Sequence, residues 1–321
     1  MQDSLKSLSG QDSLQAEVLF DLQYLWAEYN FDSSWHYMQR AEKLAYHLDD
    51  HYLIRKSINA KGIAHDYQNQ FDSAIFYYQL AGEYAREHND LRGQASSIFN
   101  LGVMHSFKGE MELAIEKYRE AGDIYEQIGD QKNLALLKNN LGIIYRKTGK
   151  YEMAGRAYQE SLAIKRELGD EMGILNTLTN LSPVLRSLAL YDSAIATSKE
   201  VLKMAKRLEN REIYLHELVS MAEVYSSLDN HSQAVLLYQE AEQILSPKTP
   251  YETSSHVLLS LAQYHLDRGN LKSTKRCLDR MSEFFEPEVR VEIAFNYFYI
   301  SYQFEEKSGN TAKALDFLKR A

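Results

Sequence analysis

The chain has 321 residues, and its 36 lysine and arginine against 45 aspartate and glutamate side chains leave a formal net charge of −9. That balance repels a phosphate backbone unless a local basic stripe overrides it, so nucleic acid is not the expected partner. No apolar run approaches the roughly 20 residues needed to cross a bilayer, and the opening MQDSLKSLSG carries no apolar signal segment, so membrane insertion by this segment is not expected.

Only four prolines and 15 glycines occur, 45% of residues are apolar, and Ala, Leu, Glu, Lys and Gln abound, which points to an all-helical class. The single cysteine, Cys277, excludes an intrachain disulfide and a thiolate zinc cluster and reads as a small buried apolar residue.

Along the chain, residues 31 to 41 read FDSSWHYMQRA and residues 71 to 81 read FDSAIFYYQLA, identical at six of eleven positions. The spacing of 40 persists in NLGVMHSFKGEMELAIEKYREA from Asn100, NLGIIYRKTGKYEMAGRAYQES from Asn140 and NLSPVLRSLALYDSAIATSKEV from Asn180. Rows beginning near residues 11, 51, 91, 131, 171, 211, 251 and 291 fill the chain as a single solenoid over 1–321. Each row holds two amphipathic helices of about 17 residues, roughly 25 Å long. A turn at Gly109, Gly149, Gly269 or Gly309 ends the first of them. Asp50, Asp90, Asp130, Asp170 and Asn210 are predicted N-caps opening the next row.

Within a row, Gly62, Gly102, Gly142, Ala222 and Ala262 in the first helix and Ala74, Ala114, Ala154, Ala194 and Ala234 in the second are predicted to pack small against small. Leu101, Leu141, Leu181, Tyr118, Tyr158 and Tyr238 fill the space around them, burying a face that no single hairpin can cover. His65, His105 and His265 occupy the position of Tyr145 and are expected in the core. Pro183 falls in the middle of the first helix of row five and predicts a kink or an early break.

These residues resemble the tetratricopeptide repeat family. Leu141, Gly142, Tyr145, Ala154 and Tyr158 stand at its Leu-Gly, Tyr, Ala and aromatic positions, with Ser161 replacing the usual final alanine. The row from Leu101 keeps Gly102, Ala114, Tyr118 and Ala121 but has His105 for tyrosine. The family's common repeat is about 34 residues and often closes its second helix with proline, which these rows are read as lacking. The longer form with a Gly-Asp boundary resembles the repeats of cell-polarity adaptors. The resemblance implies a right-handed superhelix of about eight helical hairpins whose first helices line a concave face that receives a peptide.

By that resemblance Asn100, Asn140 and Asn180, each preceding the row's leucine, are candidates to hydrogen-bond a ligand backbone, since an amide both donates and accepts. The competing reading has these amides bonding neighbouring helices. Arg146 and Arg186 lie one turn further along and suit a carboxylate, while Asn139 and Asn176 add polar contacts where they turn inward. No nucleophile motif, phosphate-binding glycine loop or zinc-protease helix appears, and no third ligand joins His216 and His256 at a recognisable spacing. An enzyme, a metal and a cofactor are therefore not expected.

The leading expectation is a protein- or peptide-binding scaffold. The alternative is the ligand-sensing module of a larger bacterial signalling protein, because the whole also resembles the extracytoplasmic repeat modules of some sensor kinases and response regulators. The final residues Leu315 to Ala321 supply no polar capping helix, which predicts a fragment or self-association through that end. Localisation stays open at this point, periplasmic for a sensor fragment and cytoplasmic for a free adaptor.

Overall fold

The computed structural model describes residues 12–283 and 291–320, which hold sixteen helices and no strand. Packing groups the chain into two compact units, Met1–Asp170 and Glu171–Ala321. The first contains α1 (Asp12–Ala27), α2 (Phe31–His47), α3 (His51–Tyr67), α4 (Phe71–Glu87), α5 (Leu91–Phe107), α6 (Met111–Gln127), α7 (Gln131–Lys147) and α8 (Tyr151–Leu168). The second contains α9 (Glu171–Ser187), α10 (Tyr191–Arg207), α11 (Arg211–Ser227), α12 (His231–Ile244), α13 (Tyr251–Asp267), α14 (Leu271–Ser282), α15 (Val291–Lys307) and α16 (Thr311–Arg320). Odd-numbered helices are the first members of the forty-residue rows, and each packs against the even-numbered helix that follows. No described helix is long and apolar enough to cross a membrane.

The boundaries follow from local chemistry. Asp50, Asp90, Asp130 and Asn210 each accept a hydrogen bond from the backbone N–H three residues on, at 3.1, 2.8, 3.2 and 3.0 Å, so one orphan donor of the new helix is satisfied. Between the helices of a row, one residue adopts the left-handed conformation at a fixed register: Asn69, Gly109, Gly149, Ala189, Asp229, Gly269 and Gly309 all have φ between 55° and 81°. Glycine meets that demand at no steric cost; Ala189, at φ 55°, holds it against its own Cβ.

The core corrects the expectation of small against small. A Cβ built on Gly142 would lie 2.5 Å from Tyr158 Cε1, and one on Gly62 or Gly102 would lie 2.5 or 2.7 Å from the ring of Tyr78 or Tyr118. Each glycine therefore opens a slot for the tyrosine sixteen residues later, and the three rings are 0 to 2% exposed. The small alanine of the second helix lies one turn before that ring and lets the backbones approach. Ser161, at the family's alanine position, is fully buried and its hydroxyl donates to Ala135 O at 2.7 Å, so a polar atom enters the core already satisfied.

Three further expectations change. The histidines at the tyrosine register are half-buried, and two of them face the turn: His65 Nδ1 lies 2.6 Å from Gln70 Oε1 and His105 Nδ1 lies 2.6 Å from Glu110 Oε2. Helix α9 continues through Pro183 to Ser187 without the early break. Only one turn follows the proline, and Ser187 Oγ donates to Pro183 O at 3.1 Å, so the chain loses a single backbone bond close to an end that frays anyway. Row six does close on proline: α12 stops at Ile244, and Pro247 and Pro250 occupy the turn before α13.

Candidate peptide groove

The second unit contains a cavity of about 740 Å³. All of its lining residues except Tyr238 and Arg268 belong to the first helices α9, α11, α13 and α15. Arg186 enters from α9, Glu223 from α11, His256 and Ser260 from α13, and Asn296 and Tyr299 from α15. Register explains the convergence. His216, His256 and Asn296 stand forty-residue steps beyond Asn176, Ser260 and Ile300 beyond Asn180, and Ser226 beyond Arg186. Apart from His216, these later-row residues border the cavity, at the registers singled out in earlier rows.

Its chemistry is mixed. Arg186 forms an ion pair with Glu223, both about one-third exposed, so its guanidinium is engaged within the chain and is not a free carboxylate receptor. Counting the lining side chains gives two cationic groups, Arg186 and Arg268, against four carboxylates, Glu223, Glu252, Asp267 and Glu292. Arg268 lies over the Tyr264 ring at 5.6 Å, and Tyr264 in turn packs on Tyr238 with centroids 5.0 Å apart. His216 and His256 stack at 4.7 Å. Burial, reinforced by the neighbouring imidazole, lowers the His256 pKa to about 4, so this ring is neutral at physiological pH.

Behind the groove lies a polar core that the sequence pattern did not reveal. Row five replaces the Gly-Tyr pair with Ser182 and Ser198, both fully buried, with their hydroxyls 3.0 Å apart. Ser182 Oγ also donates to Glu217 Oε1 at 3.0 Å, and Glu217 is 2% exposed. Burial raises the Glu217 pKa, opposed by hydrogen bonds from Ser198 and Ser182 and by the charge of Arg186.

Most of the remaining sequence candidates have partners of their own. In the first unit, Asn100 Nδ2 donates to Asn59 Oδ1 at 3.0 Å, and the Asn140 amide hydrogen-bonds the Tyr118 hydroxyl; both asparagines keep part of their surface. Asn139 is 8% exposed, which leaves little of its amide for a ligand. Arg146, half-buried, lies against the Tyr158 hydroxyl, and neither that hydroxyl nor Arg146 Nε has a hydrogen bond of good geometry. In the second unit, Asn180 is half-buried and Asn176 is exposed. Of the cavity residues, His256 belongs to the His216 and His256 pair that the sequence offered as able to share the groove, whereas Glu223 and Asn296 were missed, although the forty-residue register alone would have found Asn296.

The tetratricopeptide repeat family profile matches residues 93–167 and 132–207. No curated protein matches the sequence. In fold the chain is similar to apo RapI, with 17% identity over 84% of this chain and 97% of that one and a TM-score of 0.63. It is also similar to BtubC (BKLC) from P. vanneervenii, with 21% identity over 70% and 95% and a TM-score of 0.61. A third likeness is to NprR in complex with its cognate peptide NprX, with 16% identity over 92% and 83% and a TM-score of 0.52. The family's sequence signature in residues 93–207, the helical hairpins that continue on either side of them and the fold of these neighbours support a repeat of the tetratricopeptide type.

Proposed function

We propose that the chain is a protein- or peptide-binding scaffold that works without catalysis, receiving its ligand on the faces of its first helices. The observation that carries this reading is the cavity of about 740 Å³ in the second unit, whose walls come almost wholly from four successive first helices. A cavity of that size is open enough for an extended segment and offers amide, hydroxyl, aromatic and charged contacts side by side, as peptide sites do. NprR, which this chain resembles in fold, binds its cognate peptide NprX. The carboxylate excess of the lining favours a neutral or basic segment over an acidic one, and disfavours nucleic acid. Asn100, Asn140 and Asn180 are retained in the proposal as backbone-reading amides, each giving up or sharing its present contact when ligand arrives.

The test is selection of binders from a displayed random peptide library on the whole chain, followed by fluorescence polarisation on variants with unchanged helical signal. Ser260→Trp, which fills the groove, should abolish binding of groove ligands. Asn140→Ala should weaken backbone reading by about 1 kcal/mol, roughly fivefold, and the triple Asn100→Ala, Asn140→Ala, Asn180→Ala variant by more. Selected peptides that bind Ser260→Trp and the triple variant as well as the parent chain would place the function on another surface.

A further inference from the structure

A separate cavity of about 340 Å³ opens in the first unit, lined by Asp66, Tyr67, Asn69, Phe71 and Phe107. Asp66 and Tyr67 end α3, Asn69 is the left-handed turn residue, Phe71 opens α4 and Phe107 ends α5. The Phe71 and Phe107 rings are nearly parallel, 5.9 Å apart and inclined by 10°, and Tyr24 meets Tyr67 edge-on at 6.3 Å. Tyr67 is 39% and Phe107 60% exposed, so these ring faces are open to a ligand.

The carboxylate is what makes this cavity specific. Among the described residues, no side chain pairs with or hydrogen-bonds Asp66, and burial raises its pKa to about 6. The cations nearby in sequence are engaged elsewhere: Lys108 with Asp72 at 2.8 Å and Glu110 at 3.7 Å, and Lys61 with Glu42 at 2.6 Å. The negative charges of Glu28 and Asp66 both bear on Tyr67. An aromatic-walled cavity holding a half-desolvated carboxylate without a counter-ion repels anions and gains from a cation, which both the charge and the ring faces attract.

We propose that this cavity binds the cationic end of a lysine or arginine side chain of a partner peptide, with Asp66 as the counter-charge and Tyr67, Phe71 and Phe107 as the walls. The site is independent of the groove in the second unit, and the two proposals stand or fall separately.

The experiment titrates capped acetyl-Gly-Lys-Gly-amide and acetyl-Gly-Arg-Gly-amide into the full chain and follows them by ligand-detected NMR, with norleucine and glutamate tripeptides as neutral and anionic controls. Basic peptides should bind with Kd of about a millimolar, as one side chain's worth of contact allows. Asp66→Asn should weaken them about tenfold, the loss of one charge-assisted contact. Phe107→Leu, which removes an exposed ring outside the core, should weaken them about threefold and decides the matter if Asp66→Asn disturbs folding. Norleucine peptide binding as well as the basic ones, or basic peptides holding equally to both variants, overturns the proposal. Tetramethylammonium chloride bound at this site while neither basic peptide binds assigns it to small organic cations and overturns the side-chain assignment.

Discussion

Gly142→Ala probes the packing rule that fixes the hairpins. The added methyl would sit 2.5, 2.7 and 2.9 Å from Cε1, Cδ1 and Cζ of Tyr158. Ordinary carbon contacts lie at about 3.5–4.0 Å, so ring and helix must part by about 1 Å. Tyr158 is fully buried and has nowhere to turn. Overpacking of this kind costs about 1–3 kcal/mol, while replacing a mid-helix glycine by alanine returns about 1 kcal/mol of propensity, so the net expectation is a loss of about 1 kcal/mol. Urea titration followed by helical circular dichroism measures it. The decisive control is the same substitution in a Tyr158→Leu background, which copies the Ala262 and Leu278 pair of row seven; with the ring gone, Gly142→Ala should stabilise by about 1 kcal/mol, giving a coupling of about 2 kcal/mol across the cycle. Gly142→Ala stabilising the parent chain would refute the reasoning. It would mean that the hairpin opens freely to hold alanine beside tyrosine, as row six does with Ala222 and Tyr238.

Two other substitutions test the electrostatics and the caps. Glu217 has a pKa raised above its ordinary 4.5, so the folded state holds the proton more tightly than the unfolded chain, and stability present below about pH 4.5 is lost as pH rises through the folded value. Glu217→Gln, which keeps the shape and an acceptor for Ser182, should flatten that dependence and raise stability at neutral pH by about 1–2 kcal/mol; an unchanged slope in thermal melts from pH 4 to 8 would contradict it. Asp90 caps α5 through Gly93 N at 2.8 Å and holds Arg55 Nε at 2.7 Å, with the Arg55 side chain 10% exposed. Asp90→Ala should therefore cost about 2–3 kcal/mol, more than an isolated cap, and a loss below about 0.5 kcal/mol would show the ion pair to be idle.

The rows, their boundaries and their pairing were legible because the signals are local and repeated. An aspartate cap needs only the backbone three residues on, and a glycine turn needs only its own φ. What packs against what was less legible, since Gly62, Gly102 and Gly142 recur in the same register as Ala222 and Ala262, and pattern alone does not say that the glycines face rings. The candidate site was less legible still. Whether an amide or guanidinium is free depends on residues a full row away: Asn100 meets Asn59, 41 positions earlier, and Arg186 meets Glu223, 37 positions later. Asp66 did carry a signal that went unread. It occupies, in row two, the register of Arg146 and Arg186, and the next register holds Tyr67 and Phe107, so a charge reversal beside aromatics marks the place.

The departures from the repeat are concentrated where the second unit builds its groove. Rows two to four each fill their centre with a tyrosine over a glycine, an arrangement that leaves no room for a charge. Row five gives up that ring for two serines, and the vacated space admits the Glu217 carboxylate from the next row. Burying that group costs free energy that an apolar pair would not, and its hydrogen bonds return only part of it. A solenoid tolerates such a row because its stability is a sum of local terms, so well-packed neighbours carry a weak one without loss of the fold. The compensation is positional. Glu217 feels the charge of Arg186, Arg186 is paired with Glu223, and both members of that pair line the groove next to the neutral His256. A polar core next to the proposed binding wall ties the wall's charges to a fixed geometry, which an oily core cannot do, and this is why the least regular rows are the ones on which the functional proposal rests.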